Sequence, residues 1–219
     1  MVEAMVRSAW AGAGAVFLVT FLELTMAAPL IAASGRHFGR LRVALGMIAS
    51  AFAIGVVAIC VWAGFSATGG AVQAWATPAL LVLLGFYLAY RFGVARNSTY
   101  GAYLRQNLVP EPVGRFRDGP ERIGAWAIGV EGIKIGVAWL AVAIRFGTVV
   151  PSMALLAGIV VSILPGLLVG RHVYHRINPS FLYSVTMLAV VLYGFALLVA
   201  QGSGRPLATG QPVRTGRHP

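Results

Sequence analysis

Six long apolar runs dominate this sequence, and they restrict the fold more than any other feature. A helix needs about 20 mostly apolar residues to cross the hydrocarbon core of a bilayer, whereas transmembrane β-strands are shorter and alternate apolar with polar residues. The runs therefore predict an all-α integral membrane protein with six transmembrane helices. Their bounds are Trp10–Ala33, Val43–Phe65, Val72–Tyr90, Ile123–Ile144, Phe146–Val169 and Ser180–Ala200.

The composition agrees with a membrane protein and argues against several other classes. Of the 219 residues, 58% are hydrophobic and 11% are charged, and the mean hydropathy is +0.81, which is too apolar for a water-soluble domain. The net charge of +11 comes from arginines between the runs, so we expect a lipid bilayer as partner and no nucleic acid. The sequence has no Gly-rich phosphate loop, catalytic triad or zinc motif, and we expect neither an enzyme nor a bound cofactor.

The arginines also predict an orientation, because cytoplasmic loops are enriched in Lys and Arg. If the N-terminus lies outside, the three inner loops carry eleven arginines and the outer regions carry five. We therefore expect a multi-pass protein of the plasma (cell) membrane with both termini outside. Residues 91–122 mix six arginines with acidic residues and prolines, and we expect them to form a cytoplasmic linker. Residues 201–219 have the composition of a disordered tail.

The two halves of the chain match each other when one is shifted by about 108 residues. The shift places Glu23 on Glu131. One residue further on, TPALLVLLGFYL (Thr77–Leu88) lies over TMLAVVLYGFAL (Thr186–Leu197), with six identities. A copy of three helices crosses the membrane three times, so the chain ends on the side opposite to where it began. The second copy therefore enters the membrane from the other side. We therefore expect a 3+3 inverted repeat, residues 1–90 and 123–200, with a substrate site near the bilayer midplane between the copies.

Three charged residues lie within the predicted spans: Glu23, Glu131 and Lys134. An ionisable side chain in lipid is unfavourable, so it is expected to face protein or water and is a functional candidate. Lys134 follows Glu131 by three residues, which places both on one helix face. Glu23 has no basic residue within a helical turn. We expect Glu23, Glu131 and Lys134, with the neighbouring Thr25, to bind a small cation, and Glu23 and Glu131 to be the ligands if that cation is a metal.

Structural interpretations of the same residues stay open. Glu131 and Lys134 can form an ion pair that only stabilises the fold. Glu23 can be a protonated carboxyl group that is hydrogen-bonded within the bundle, and the Thr25 hydroxyl can bond back to its own helix. Prolines are a further source of oxygen ligands, because a proline inside a helix frees a backbone carbonyl. Four prolines lie in the spans: Pro29, Pro78, Pro151 and Pro165.

Two stretches, FLELTMAAPLIAASGRHFGRLRVALG and VEGIKIGVAWLAVAIRFG, resemble the motif helices of the oxidase-linked high-affinity iron permeases. That family carries R-E-G-L-E in its first and fourth helices and has an outside N-terminus. The corresponding pentads here are LELTM (Leu22–Met26) and VEGIK (Val130–Lys134), and the first glutamate of the motif survives in both. The resemblance implies a secondary transporter for a small cation, such as a metal ion whose transport is coupled to protons.

The stretch GLLVGRHVYHRINPSFLYSVTMLAVVLYGFALL resembles the closing pattern of cation/proton exchangers with paired E-x-G-D-[KR]-[ST] motifs, which handle manganese or calcium. The motif glutamate again matches, whereas Met26 and Lys134 stand in place of the aspartate. A function of another class stays open, namely a non-transporting scaffold or partner subunit whose ion site has decayed. The lost acidic residues favour the scaffold, and the two glutamates at equivalent positions favour transport.

Overall fold

The computed structural model describes residues 9–38, 40–68, 70–97, 120–168 and 179–202, and nearly all of them are helical. The prediction of an all-α chain with a helix over each apolar run is confirmed for these residues. The helices are α1 (Ala9–Phe38), α2 (Arg40–Ser66), α3 (Gly70–Asn97), α4 (Pro120–Phe146), α5 (Val149–Leu168) and α6 (Pro179–Gly202).

The ends of the helices differ from the ends of the apolar runs. α1 continues past Ala33 to Phe38, and α3 continues to Asn97, into the segment predicted as a linker. Backbone hydrogen bonding does not stop where side chains become polar, so run length predicts the membrane crossing better than the helix end. α4 begins at Pro120, also within the predicted linker, and α6 ends at Gly202, inside the predicted tail. Residues 98–119 and 203–219 lie outside the described residues.

The fifth helix begins at Val149 rather than at Phe146, because a turn separates it from α4. Gly147 has φ 78°, a left-handed conformation that glycine adopts without steric penalty. Its amide donates to the carbonyl of Ala143 at 2.9 Å, which closes the last turn of α4. The turn lets α5 fold back beside the bundle.

Three helices contain segments that are long and apolar enough to cross a membrane: Leu41–Ser66 in α2, Gly70–Tyr90 in α3 and Phe181–Gly202 in α6. Shorter apolar segments occur in α1 and α5. α2 is the most exposed of the three long segments, and its exposed side chains include Phe52. Such an apolar surface is unfavourable in water and favourable in lipid, so the fold is compatible with a membrane protein.

α1 and α4 lie at the centre of the bundle. α1 packs against α4 and α5, while α4 also packs against α2 and α3, and α3 packs mainly against α6. Hydrogen bonds from two neighbouring helices fix the C-terminal part of α4. Thr77 Oγ1 on α3 donates to the carbonyl of Ala141 at 2.8 Å, and Trp62 Nε1 on α2 donates to the carbonyl of Ala143 at 3.2 Å.

α1 and α4 run in opposite directions. Gly12, near the start of α1, lies against Val142, near the end of α4, whereas Glu23 contacts Lys134. Both charged residues stand near the middle of their helices. The antiparallel packing therefore brings the central turns of the two helices together inside the bundle.

Candidate cation site

Lys134 lies between the two glutamates that the sequence singled out. Its Nζ atom donates hydrogen bonds to Oε2 of Glu131 on the same helix and to Oε2 of Glu23 on α1. Both contacts are salt bridges. The pairing of Glu131 with Lys134 is the one that their three-residue spacing predicts, and it is confirmed. The contact with Glu23 joins α1 to α4 through a single ammonium group.

The three charged side chains are almost completely buried. The exposed fraction is 0% for Glu23, 2% for Lys134 and 6% for Glu131. Their neighbours one helical turn away include Val19 and Ala138, which belong to the apolar core. Removing a charge from water costs several kcal/mol unless partners compensate it. The three groups therefore act as one unit, which we call the Glu–Lys–Glu cluster.

The formal charges of the Glu–Lys–Glu cluster do not balance when all three groups are ionised. With both carboxyl groups ionised and the lysine protonated, two negative charges face one positive charge, and the sum is −1. The two carboxyl groups also lie close enough to interact with each other, and Oε1 of Glu23 has no hydrogen-bond partner. One more positive charge, either a proton or a cation, would neutralise the cluster.

Thr25 is buried, but its hydroxyl does not join the hydrogen bonds of the cluster. Its Oγ1 atom has no hydrogen-bond partner, so it does not bond back into α1 either. Residues two positions apart on a helix point in nearly opposite directions, and Thr25 follows Glu23 by two. In contrast, Thr20 donates to the carbonyl of Val16 at 2.8 Å, in the usual way for a buried helical threonine.

Proline does free a carbonyl in α3, but a side chain satisfies it. α3 continues through Pro78, which has no N–H to offer to the carbonyl of Ala74 one turn earlier. Nε2 of Gln201 on α6 donates to that carbonyl instead. The carbonyl freed by Pro78 therefore joins α3 to α6, and in this structure it is not an open ligand for an ion.

A cavity of about 480 Å³ lies between α2, α4 and α5, with Leu24 of α1 in its wall. Among the described residues that line it, none is charged. Its polar groups, the Ser152 hydroxyl and the Trp139 indole, bond to each other at 3.0 Å. The wall includes Gly132 and Ile135, next in sequence to the charged residues of α4, but not the charged residues themselves. The cavity is therefore an apolar space beside the cluster.

The contact of Glu23 with Lys134 was not predicted, because Lys134 lies on another helix and local sequence around Glu23 contains no basic residue within a helical turn. A signal for it was present in the shift that aligns Glu23 with Glu131. Equivalent positions on two antiparallel central helices meet where the helices cross, so a residue near Glu131 was a natural partner for Glu23.

Comparison with known proteins adds no identity: no family model, curated protein or solved structure matches the chain. The resemblance to cation permeases therefore rests on the quoted motifs. Within the described residues, no group of three or more His, Cys, Asp or Glu side chains can hold a metal ion.

Proposed function

We propose that this protein is a multi-pass membrane transporter for a small cation, with the Glu–Lys–Glu cluster as its binding site. The observation that carries the proposal is that one buried ammonium group bridges two carboxylates on the two central helices, at positions that align in the repeat. A lysine that served only to neutralise Glu131 would not require a second carboxylate, from Glu23 on α1. A shared central site between two halves is the arrangement of many secondary transporters.

Helix packing supports the inverted repeat. α2 packs mainly against α4, and α5 packs mainly against α1, so each half places its second helix on the first helix of the other half. Gly129 of α4 faces Ser50 of α2. The 108-residue shift takes Gly129 to Phe21 and Ser50 to Gly158, so it predicts that Gly158 of α5 lies near Phe21 of α1. In the structure Gly158 lies against Thr20, which is next to Phe21, and against the carbonyl of Phe17. A two-fold axis in the membrane plane produces this arrangement, in which the second helix of each half packs on the first helix of the other half.

In this proposal Lys134 is a tethered counter-ion. Its ammonium group occupies the carboxylates when no substrate is bound, and a substrate cation displaces it. Lysine suits this role because its charge sits on a flexible four-carbon chain. A site of net charge −1 favours a proton, a monovalent cation or a weakly held divalent ion. Both termini lie outside the plasma membrane, and the two halves expose the site to one side at a time.

The motif resemblance supports a distant relation to the cation permeases, with a changed site. Leu22 and Val130 replace the arginines of the iron-permease pentads, and Met26 and Lys134 replace the second glutamates. The site therefore has two carboxylates fewer than the pentads would supply, and one ammonium group more. Fewer carboxylates weaken the hold on a divalent metal, so the proposed substrate differs from the iron of those permeases.

The proposal is tested by cation flux in proteoliposomes, with protons, Mn²⁺, Ca²⁺ and monovalent cations as candidates. We expect the wild type to give flux of at least one of them and Glu23→Gln and Glu131→Gln to reduce it to the level of empty liposomes. Thr77→Val is the control, since it removes a buried hydrogen bond outside the cluster. Flux that survives both glutamate substitutions would refute the proposed site.

A scaffold or partner subunit is the second candidate, and one observation favours it. The salt bridges of Lys134 join α1 to α4, as a purely structural contact would, and the described part of the chain contains no group of three or more potential metal ligands. If the cluster serves only stability, its substitutions lower the unfolding temperature, and the wild type transports none of the cations tested.

A further inference from the structure

We infer that the cation of the Glu–Lys–Glu cluster is a monovalent ion of the ammonium type, either ammonium or a small primary alkylammonium ion. The inference rests on the proposed function and narrows its substrate class. The chain itself shows how an ammonium group is held at this place, because the Nζ atom of Lys134 occupies it. A substrate that displaces Lys134 takes over the contacts of that nitrogen, and an ion of the same charge and shape fits them.

The hydrogen-bonding groups of the cluster suit such an ion. Lys134 donates to Oε2 of both glutamates. Oε1 of Glu23 is buried and has no hydrogen-bond partner, so the site holds an acceptor that the lysine does not use. A free ammonium ion has one N–H donor more than a lysine side chain, which has three. Within the described residues Lys134 donates only two hydrogen bonds, so an ion that is free to reorient, with three N–H donors (alkylammonium) or four (ammonium), can bond to both Oε2 atoms and to this acceptor as well.

A divalent metal suits the cluster less well. Calcium takes about 6–8 oxygen ligands, and magnesium demands octahedral coordination. The cluster offers the carboxylates of two residues, and no group of three or more His, Cys, Asp or Glu occurs among the described residues. Val19, Ile135 and Ala138, one turn away from the charges, are buried and aliphatic. A metal would have to bring most of its ligands as water into an apolar core.

The space for a short alkyl group comes from the lysine itself. When Lys134 leaves the carboxylates, its alkyl chain vacates a path through the core, and the tail of a small alkylammonium ion can lie there. A quaternary ammonium ion has the same charge but no N–H donor, so it cannot form the two hydrogen bonds. Methylammonium and tetramethylammonium therefore separate recognition of the ammonium group from a general effect of charge.

The test is thermal unfolding of the purified full-length protein in detergent, with methylammonium chloride compared with tetramethylammonium chloride at equal ionic strength. We expect methylammonium to raise the unfolding temperature of the wild type by at least about 2 °C more than tetramethylammonium does. Glu131→Gln should abolish this difference, and Thr77→Val should keep it. Equal shifts from the two salts in the wild type would overturn the inference.

Lys134→Ala gives a second measurement on the same site. The variant keeps Cβ, so n-propylammonium replaces the missing atoms one for one, and it should restore more of the lost unfolding temperature than tetramethylammonium or 1-propanol. Rescue by all three alike counts against recognition of the ammonium group. If the variant does not fold, the wild-type comparison decides alone.

Failure of the inference is distinguishable from failure of the proposed function. Stabilisation of the wild type by Mn²⁺ or Ca²⁺, but not by methylammonium, overturns the ammonium class and leaves cation transport standing. A wild type that gives no flux of any cation in proteoliposomes refutes the proposed function itself, and the ammonium inference, which rests on it, falls too.

Discussion

At the scale of single residues, the molecule keeps three charges in an apolar interior by letting one ammonium group serve two carboxylates. Removing one member of a buried ion pair leaves an uncompensated charge, which typically costs about 3–5 kcal/mol. Replacing all members by uncharged groups of similar volume is often neutral or stabilising. A single substitution at Glu23, Glu131 or Lys134 should therefore lower the stability more than replacement of all three residues together.

We expect Lys134→Met to lower the unfolding temperature in detergent without added cation, because two carboxyl groups then face each other without an ammonium. The triple variant Glu23→Gln, Glu131→Gln, Lys134→Met should recover most of the loss, since no charge is left unpaired. Thermal unfolding monitored by circular dichroism measures both. A triple variant less stable than Lys134→Met would show that the three residues do not act as a unit.

Half of this site could be predicted from local sequence. The spacing of Glu131 and Lys134 fixes their position on one helix face, so their pairing follows from helix geometry. The contact of Glu23 with Lys134 depends on how α1 and α4 cross, which local pattern does not specify. Thr25 was expected beside the cluster because it is next but one to Glu23, yet helical periodicity places it near the opposite face.

At the scale of helices, α2 approaches α4 so closely that there is no room for a side chain between them. A methyl group at Gly124 of α4 would overlap the carbonyl of Val43 on α2. Further along, a methyl group at Gly132 would lie 2.8 Å from Cδ1 of Ile54. The close packing of α2 on α4 depends on these glycines. By contrast, Gly64 on α2 has no neighbouring atom within 4 Å of an added methyl group.

We expect Gly124→Ala to destabilise the protein by about 1–3 kcal/mol, because backbone atoms of α2 must move away. Gly64→Ala is the matched control and should be neutral or slightly stabilising, since alanine has the higher helix propensity. Unfolding in denaturant or on heating compares the two. Equal stability of the two variants would mean that α2 does not pack against α4 as described.

The helices themselves were predictable, and their ends were not. Each apolar run contains a helix in the structure, as expected for runs long enough to cross a bilayer, where a helix satisfies every backbone hydrogen bond. The end of α4 and the start of α5 depend on one glycine conformation at Gly147, which hydropathy does not record. The continuation of α3 to Asn97 depends on backbone hydrogen bonding rather than on apolar side chains.

At the scale of the whole molecule, six membrane crossings would place both termini on the same side, and the arginine distribution predicts which side that is. Both termini should lie outside and residues 91–122 inside. We expect alkaline phosphatase fused after Ser203 to be active, and the same enzyme fused after Gly114 to be inactive. A green fluorescent protein fusion should show the reverse pattern, because it fluoresces only in the cytoplasm. Phosphatase activity at Gly114 alone would reverse the assigned orientation of both halves.

The central claim is that Lys134 competes with a substrate cation for the carboxylates of Glu23 and Glu131. The most direct test is the apparent affinity for the transported cation in proteoliposomes, compared between the wild type and Lys134→Met. We expect the affinity to rise about tenfold or more, since the lost pairing is worth roughly 1–3 kcal/mol. An unfolding temperature that falls while uptake and affinity stay unchanged would contradict the claim and make the cluster a structural bridge.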